Sequence, residues 1–228
     1  MYIPIRVSSK PKVIGVKNGI SQIEFDRNSF LKLKGKFYEF YNLFNSYTIF
    51  ENQNLAFNFN NSDVLTGKKL KNATITDIMG FSPKIMSIPF IISEKFYNVI
   101  KDFNIGNHIL FEVDIIDERD KYFLFFKKYI TDKELYFPKS KFFSGDNFSG
   151  DYKSFVFSNY IDYKNYLEIN PLIQIESIAL KNTIIKEDLI FFQSSFEVFF
   201  SNELLNKLND NNITGMEVFN GIDLIFVD

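Results

Sequence analysis

One segment of the chain occurs twice, and this repeat constrains the fold more than any other feature. Residues 93–111 read SEKFYNVIKDFNIGNHILF, and residues 201–219 read SNELLNKLNDNNITGMEVF. Each begins with a serine, which is a favoured helix N-cap. Each continues as a short amphipathic stretch, reaches an asparagine and an isoleucine, and ends in a strand-like run. The sequence therefore predicts two helix–turn–strand units, with Asn104 as the left-handed stop of the first helix.

Outside these units the patterns predict strands more often than helices. Helical spacing of aromatic residues favours a helix over 36–45, although their density fits strands equally well. A helical turn is predicted near 162–168. Asn18-Gly19 is typical of a tight turn and predicts a hairpin between 13–16 and 20–25. We interpret residues 138–154 as a loop, which contains the sequence FSGD twice in tandem. Strands are predicted at 2–7, 55–60, 109–116, 121–130, 155–157, 173–179, 216–218 and 222–227, and residues 188–192 form a further apolar run.

Locally paired strands with few helices indicate the α+β class. We expect a mostly antiparallel or mixed sheet with a few short helices, including the two repeated units. A chain of 228 residues is long enough to bury a large core without staples. We therefore expect a single α+β domain over residues 1–228. A division into an N-terminal β-rich lobe (1–66) and a core lobe (67–228) is the alternative.

Composition excludes several classes of function. The absence of cysteine excludes disulfides and thiolate metal sites. The net charge of −2 shows no basic surplus, so no nucleic-acid partner is predicted. The 29 phenylalanines are explained by the AT-rich codons of a bacterial genome, and we interpret them as core residues. The apolar run 85–92 is far shorter than the ~20 residues of a membrane span, and the N-terminus lacks a signal-peptide core. A cytoplasmic location is expected.

The densest charge cluster is acidic and consists of Glu112, Asp114, Asp117, Glu118 and Asp120. Such a cluster fits a metal site, a carboxylate pair for glycoside chemistry, a face for a basic partner, or a solvated strand face. We take partner binding as the functional hypothesis.

The other motifs do not predict a catalytic, cofactor-binding or metal site. His108, the single histidine, has no surrounding motif, and we expect a loop or strand-edge residue. The FSGD repeat does not match the calcium-loop spacing. It indicates a glycine-rich hairpin loop, with a mobile partner-binding loop as the alternative.

Three blocks resemble a known family. They are TDIMGF (76–81), PFIISEKFYNVIKDFNIGNHILFEV (89–113) and the DLIFF…SNELLNKLNDNNITGMEVF ending (188–219). This pattern resembles bacterial immunity proteins of polymorphic toxin systems, families eleven and forty-three, and YIDYKNYLEI (160–169) fits it loosely. The chain departs slightly, with Asn202-Glu203 where the family tends towards Glu-Lys.

The resemblance implies a cytoplasmic protein that is not an enzyme and needs no cofactor. It would bind a cognate protein toxin and block it by occlusion, with the acidic cluster attracting a basic toxin. Lysine at positions 114, 117 and 118 should then weaken protection. A small carboxylate-dependent hydrolase and a phage or structural scaffold protein are the alternatives. The oligomeric state stays open.

Overall fold

The computed structural model of the chain describes residues 1–17, 19–25, 36–59, 65–145, 150–182 and 187–228. Its helices are α1 (Pro11–Ile14), α2 (Lys36–Phe44), α3 (Thr48–Glu51), α4 (Asn54–Phe57), α5 (Glu94–Ile100), α6 (Tyr160–Ile169) and α7 (Asn202–Asp210). Two 3₁₀ turns cover Asp132–Glu134 and Phe137–Lys139. The α+β class predicted from the sequence is confirmed.

Fifteen strands lie within the described residues. They are β1 (Tyr2–Val7), β2 (Ser21–Phe25), β3 (Leu65–Lys69), β4 (Ile78–Ser82), β5 (Ile91–Ser93), β6 (His108–Ile115), β7 (Tyr122–Lys127), β8 (Tyr129–Ile130), β9 (Lys141–Ser144), β10 (Lys153–Phe155), β11 (Gln174–Lys181), β12 (Leu189–Phe192), β13 (Val198–Ser201), β14 (Met216–Val218) and β15 (Asp223–Val227).

The strands form a closed barrel and two open sheets. The barrel runs β2-β3-β6-β7-β5-β4 and closes through β2 and β4. A five-stranded sheet has the order β14-β1-β13-β12-β8, and a four-stranded sheet has the order β10-β9-β11-β15. Most neighbours are antiparallel, but β2–β4, β3–β6, β8–β12 and β11–β15 are parallel. The sheets are therefore mixed, as the sequence predicts.

The five-stranded sheet separates two apolar cores. Phe191 and Phe200 face the larger core, which fills the barrel and lies under α5 and α7. Phe192 and Phe199 face the smaller core, which is closed by α6 and the four-stranded sheet. Because side chains alternate along a strand, a sheet covered on both faces has unbroken apolar strands. The LIFF of β12 is such a strand.

The sequence repeat belongs to a larger structural repeat. A first copy consists of β4, β5, α5, β6 and β7, and a second consists of β12, β13, α7, β14 and β1. In the first copy the strand order is β4-β5-β7-β6, and in the second it is β12-β13-β1-β14. The chain's first strand therefore fills the position in the second copy that β7 fills in the first.

The register of the strands supports this correspondence. Ser93 lies opposite Tyr122 in the first copy, and Ser201 lies opposite Tyr2 in the second. In each copy the first residue of the helix donates a hydrogen bond to the residue just before the paired strand. The Glu94 N–H donates to the carbonyl of Lys121, which precedes β7, at 2.9 Å. The Asn202 N–H donates to the Met1 carbonyl at 3.1 Å. The two copies thus share both topology and register.

The helix caps and hairpins that rest on local signals are confirmed. Ser93 accepts the Phe96 N–H at 3.0 Å, and Ser201 accepts the Leu204 N–H at 3.1 Å. The helix predicted over 36–45 is α2, and the hairpin predicted from 109–116 and 121–130 is β6–β7.

The predicted hairpin at 13–25 is wrong in its first arm. Pro11 occupies the first turn of α1, where its missing N–H costs nothing, and Gly15 ends the helix with a φ of 75°. Strand β2 instead pairs with β3 and β4, and Asn18 lies outside the described residues.

Two further segments differ from expectation. The LAFN part of the strand predicted at 55–60 lies in or next to α4, because the Gln53 side chain pairs with the Tyr129 backbone at 2.6 and 2.9 Å and fixes a turn there. The stretch 138–154, predicted as a loop, contains the paired strands β9 and β10. Gly145 and Gly150 have φ of 76°, which confirms a glycine-containing hairpin loop; residues 146–149 lie outside the described ranges.

Asn104 is not the left-handed residue after α5. Gly106 takes that role with a φ of 64°, whereas in the second copy Asn212 is left-handed at 52°. The reason is tertiary: the Asn104 N–H donates to Asp188 Oδ2 at 3.1 Å, and its carbonyl accepts the Asp188 N–H at 2.7 Å. The Asn104 backbone is held by the other copy.

Candidate interaction site

Strand β6 and the turn after it place the five predicted acidic residues on one end of the barrel. Glu112 and Asp114 are exposed and alternate with buried residues of β6. Asp117 and Asp120 are exposed in the turn, and Asp117 has a φ of 69°, which aspartate tolerates better than most residues. We call Glu112, Asp114, Asp117, Glu118 and Asp120 the acidic face.

The acidic face is not uniformly negative. Glu118 forms an ion pair with Lys69 of β3 at 3.1 Å, and both side chains are partly exposed, so the pair contributes little stability. Arg119 and Lys121 occupy the same turn. Within the described residues, Glu118 is the one member of the acidic face with an ion pair. None of the other four carboxylates forms an ion pair with a residue that the structure describes.

A groove of about 610 Å³ adjoins this face. It lies where the start of α5, the turn after α7 and the start of β7 meet. We call it the Asp120 groove, since Asp120 lines it and also belongs to the acidic face. Its other principal lining residues are Ile75, Asp77, Glu94, Lys95, Val99 and Tyr122.

Asp77 forms the back of the Asp120 groove and joins the two copies. Its Oδ1 accepts the Ser93 hydroxyl at 2.8 Å, and its Oδ2 accepts both the N–H and the hydroxyl of Thr214 at 2.9 Å. Lys95 Nζ lies 3.6 Å from Oδ2. A buried carboxylate with these donors is satisfied, so its role is structural.

Asp188 of the second copy makes the corresponding hydrogen bonds to its own serine cap and to the first copy. Its Oδ1 accepts the Ser201 hydroxyl at 2.8 Å, and its Oδ2 accepts the Asn104 N–H at 3.1 Å. Each aspartate therefore binds the serine cap of its own copy and the turn after the helix of the other copy. Sequence reasoning missed both joints, although each aspartate stands at the start of a quoted motif.

The pKa of Tyr122, at the base of the groove, is affected by burial and by the nearby carboxylates. Burial raises the pKa of its hydroxyl to about 12, and the negative charges of Asp120, Glu118 and Asp77 add to the shift. The phenol therefore stays protonated at neutral pH. The three carboxylates that add to this shift would also stabilise a cation placed beside them in the groove.

A buried ion pair lies elsewhere between the copies. Lys127 is 1% exposed, and its Nζ donates to Glu187 Oε2 at 2.6 Å and to the Lys128 carbonyl at 3.2 Å. Burial lowers the pKa of Lys127, and the Glu187 carboxylate opposes that shift. A Cβ at Gly106, whose φ is 64°, would lie 1.9 Å from Glu187 Oε1, so a side chain there would displace the Glu187 carboxylate from its present position.

His108 begins β6, as the sequence predicts for a strand-edge residue. Its Nδ1 lies 2.9 Å from the Gly106 carbonyl oxygen, and its ring packs against Tyr97 and Phe125. Such packing orients the ring within the sheet edge.

A second groove of about 580 Å³ has a balanced charge pattern, because Glu51, Asp132 and Glu134 line it as well as three lysines. Lys128, Lys133 and Lys164 line it, together with the exposed Tyr47. Asp132 also lines it, accepts the Ser194 hydroxyl, and has its pKa raised by burial. This groove lies away from the acidic face.

The described part of the chain holds no group of three or more metal-ligating histidine, cysteine or acidic side chains. No helix among these residues is long and apolar enough to cross a membrane. Comparison with protein-family models gave no match, and neither did a search of curated proteins.

Proposed function

We propose that this chain is an immunity protein that binds a cognate bacterial toxin and blocks it by occlusion. The observation that carries the proposal is the acidic face, in which Glu112 and Asp114 project from a barrel strand anchored by buried neighbours. A rigid strand that presents unpaired carboxylates pre-organises them for a basic partner. The motif resemblance over 76–113 and 188–219 gives the class of partner.

The structural use of the motifs supports a binding role. Asp77, Ser93, Asp188 and Ser201 lie in the motif blocks, and their side chains are occupied by caps and joints within the chain. The motif residues are thus needed for folding, and recognition falls to the surface between and around them. An immunity protein that occludes its target requires such a stable frame with a variable surface.

The decisive experiment is a growth-rescue assay. The toxic domain of a candidate cognate toxin would be expressed in a sensitive host, with and without this chain. Rescue together with a co-purifying complex is the expected result. Toxicity that the chain does not relieve would contradict the proposal and favour the hydrolase or the scaffold protein.

The acidic face is tested by neutralising its carboxylates. We expect the triple variant Glu112→Gln, Asp114→Asn, Asp117→Asn to associate with the toxin about tenfold more slowly at low salt, because long-range attraction sets the association rate. Asparagine at 117 retains the left-handed backbone more easily than lysine would. Stopped-flow binding at increasing salt measures the effect, which should shrink as screening increases.

The matched control removes the same charge elsewhere. Glu168, Asp210 and Asp223 are exposed and lie outside the acidic face. Their replacement by the corresponding amides should leave the association rate within about twofold of the natural chain. Equal slowing in both triple variants would show that net charge, rather than the acidic face, attracts the partner.

A further inference from the structure

Comparison of the two copies of the structural repeat distinguishes residues that the fold requires from residues that can differ. Both copies retain an aspartate at the start of the first strand, a serine helix cap, and a tyrosine opposite that serine. These are Asp77, Ser93 and Tyr122 in the first copy and Asp188, Ser201 and Tyr2 in the second. Residues shared in this way serve the common architecture.

Three residues of α5 that line the Asp120 groove differ between the copies, and one of them is Lys95, which corresponds to Glu203. Glu94 corresponds to Asn202, and Val99 corresponds to Lys207, since the helices align from their serine caps. The second copy folds with an amide and a cation at these positions, so the architecture does not need the carboxylate of Glu94 or the apolar side chain of Val99. Both belong specifically to the groove.

The groove combines apolar walls with a negative rim. Ile75 and Val99 line it and are partly exposed. The bond from the Glu94 N–H to the Lys121 carbonyl, 2.9 Å long, holds the start of α5 beside the turn that carries Asp120. The lining therefore has two exposed carboxylates and two partly exposed aliphatic side chains.

The charge of the lining is negative by two. Asp77, Glu94 and Asp120 carry three negative charges, and Lys95 carries one positive charge. Lys95 is already engaged, because its Nζ donates to the Asn212 carbonyl at 2.9 Å and lies 3.6 Å from Asp77. Lys95 and Asp77 therefore offset each other, and Glu94 and Asp120 remain for a cation.

We propose that the Asp120 groove receives an arginine side chain of the partner protein. The aliphatic stem would pack on Ile75 and Val99, as long basic side chains do on apolar surface. The guanidinium would lie between Glu94 and Asp120, where its fork of five donors can serve two carboxylates at once; the single ammonium of lysine suits this less well. The proposal rests on the proposed function, since it makes the groove the anchor point of the toxin interface.

The first test needs no toxin. Acetyl-arginine amide would be titrated into the isotopically labelled full chain, with acetyl-citrulline amide as the uncharged analogue of the same shape. We expect backbone amide signals of 94–99 and 120–122 to shift with the arginine compound, with a dissociation constant on the order of millimolar. Equal shifts with citrulline, or none with either compound, would overturn the proposal.

The matched variant is Glu94→Asn with Asp120→Asn. Asparagine is the residue that the second copy carries at the position of Glu94, so folding is expected to be retained. We expect the arginine-dependent shifts to disappear and toxin affinity to fall about tenfold or more. Glu168→Gln with Asp223→Asn removes the same charge from other surfaces and should change neither measurement.

The outcomes distinguish the two proposals. Shifts with the arginine compound, but no growth rescue by the natural chain, would retain the arginine site and reject the immunity function. Growth rescue with unchanged toxin affinity in the Glu94→Asn, Asp120→Asn variant would retain the immunity function and reject the groove as its anchor. A variant that binds the arginine compound as well as the natural chain does would also reject the groove.

Discussion

At the scale of single residues, two aspartates join the copies, and they differ in burial and in the number of donors they accept. The Asp77 carboxylate is buried and accepts three hydrogen bonds from Ser93 and Thr214, whereas Asp188 is half-buried. Asp77→Ala removes the acceptor of the buried Ser93 hydroxyl and of the two partly buried Thr214 donors, and we expect it to lower the free energy of unfolding by about 3 kcal/mol. Asp188→Ala should cost about half as much. Urea unfolding measures both, and the reverse order would contradict this account.

The titration of Glu217 should make the free energy of unfolding depend on pH. Burial alone would raise the pKa of its carboxyl group, but hydrogen bonds from Arg6 and Ser9 and the Arg6 charge outweigh burial and lower it below 4.5. Arg6 Nε lies 2.8 Å from Oε1. A lowered pKa stabilises the folded state above the unfolded-state pKa, and this contribution is lost as pH falls through the folded-state pKa.

The variant Glu217→Gln should therefore lose about 1 kcal/mol relative to the natural chain at pH 7, since solvent screens the half-exposed Arg6. We expect the difference to shrink as pH falls below about 4.5. Burial raises the pKa of Asp132 and of Glu197, which act in the opposite direction, so the difference between the two chains is what isolates Glu217. A difference independent of pH would contradict the assignment.

At the scale of secondary-structure elements, the accuracy of sequence reasoning follows the range of the interactions. The caps of α5 and α7 depend on a serine and an N–H three residues away, and both were predictable. The turn at α4 depends on Gln53 and Tyr129, which are 76 residues apart, and alternation of LAFNFN suggested a strand instead. Local signals identify an element only where distant contacts do not override them.

Strand β1 illustrates the same limit. It lies between β13 and β14, although proline is usually excluded from central strands because it cannot donate. The Phe219 N–H donates to the Pro4 carbonyl at 3.4 Å, just beyond the end of β14, so the missing donor falls where the ladder stops. The sequence predicts a strand at 2–7, but its central position depends on the second copy.

The candidate site divides in the same way. The acidic face was predictable, because Glu112 and Asp114 alternate with apolar residues along one strand. The Asp120 groove was not, since it brings together residues from 75 to 214 that no local pattern connects. Only the assembly of the two copies places Asp120 beside Asp77 and the turn after α7.

At the scale of the whole molecule, the sheet shared by the two cores should couple their stability. Phe199 and Phe200 are neighbours on β13 and are completely buried, one in the smaller core and one in the larger. A substitution on either face perturbs a strand that both cores need. Phe199→Leu and Phe200→Leu should each lower the free energy of unfolding by about 1–2 kcal/mol. In each variant both cores should still unfold in a single transition.

Native-state hydrogen exchange can observe the two cores separately, through the amides of α6 and of α7. We expect each variant to lower the protection of both helices by the same free energy, because global unfolding is then the event that exposes them. Independent protection of α6 and α7 would show that the shared sheet does not couple the cores. The same data test the division at residue 66, because β1 pairs with β13 over four residues. Amides of β1 and β13 that show the same free energy of opening would show that the N-terminal strand unfolds together with the second copy.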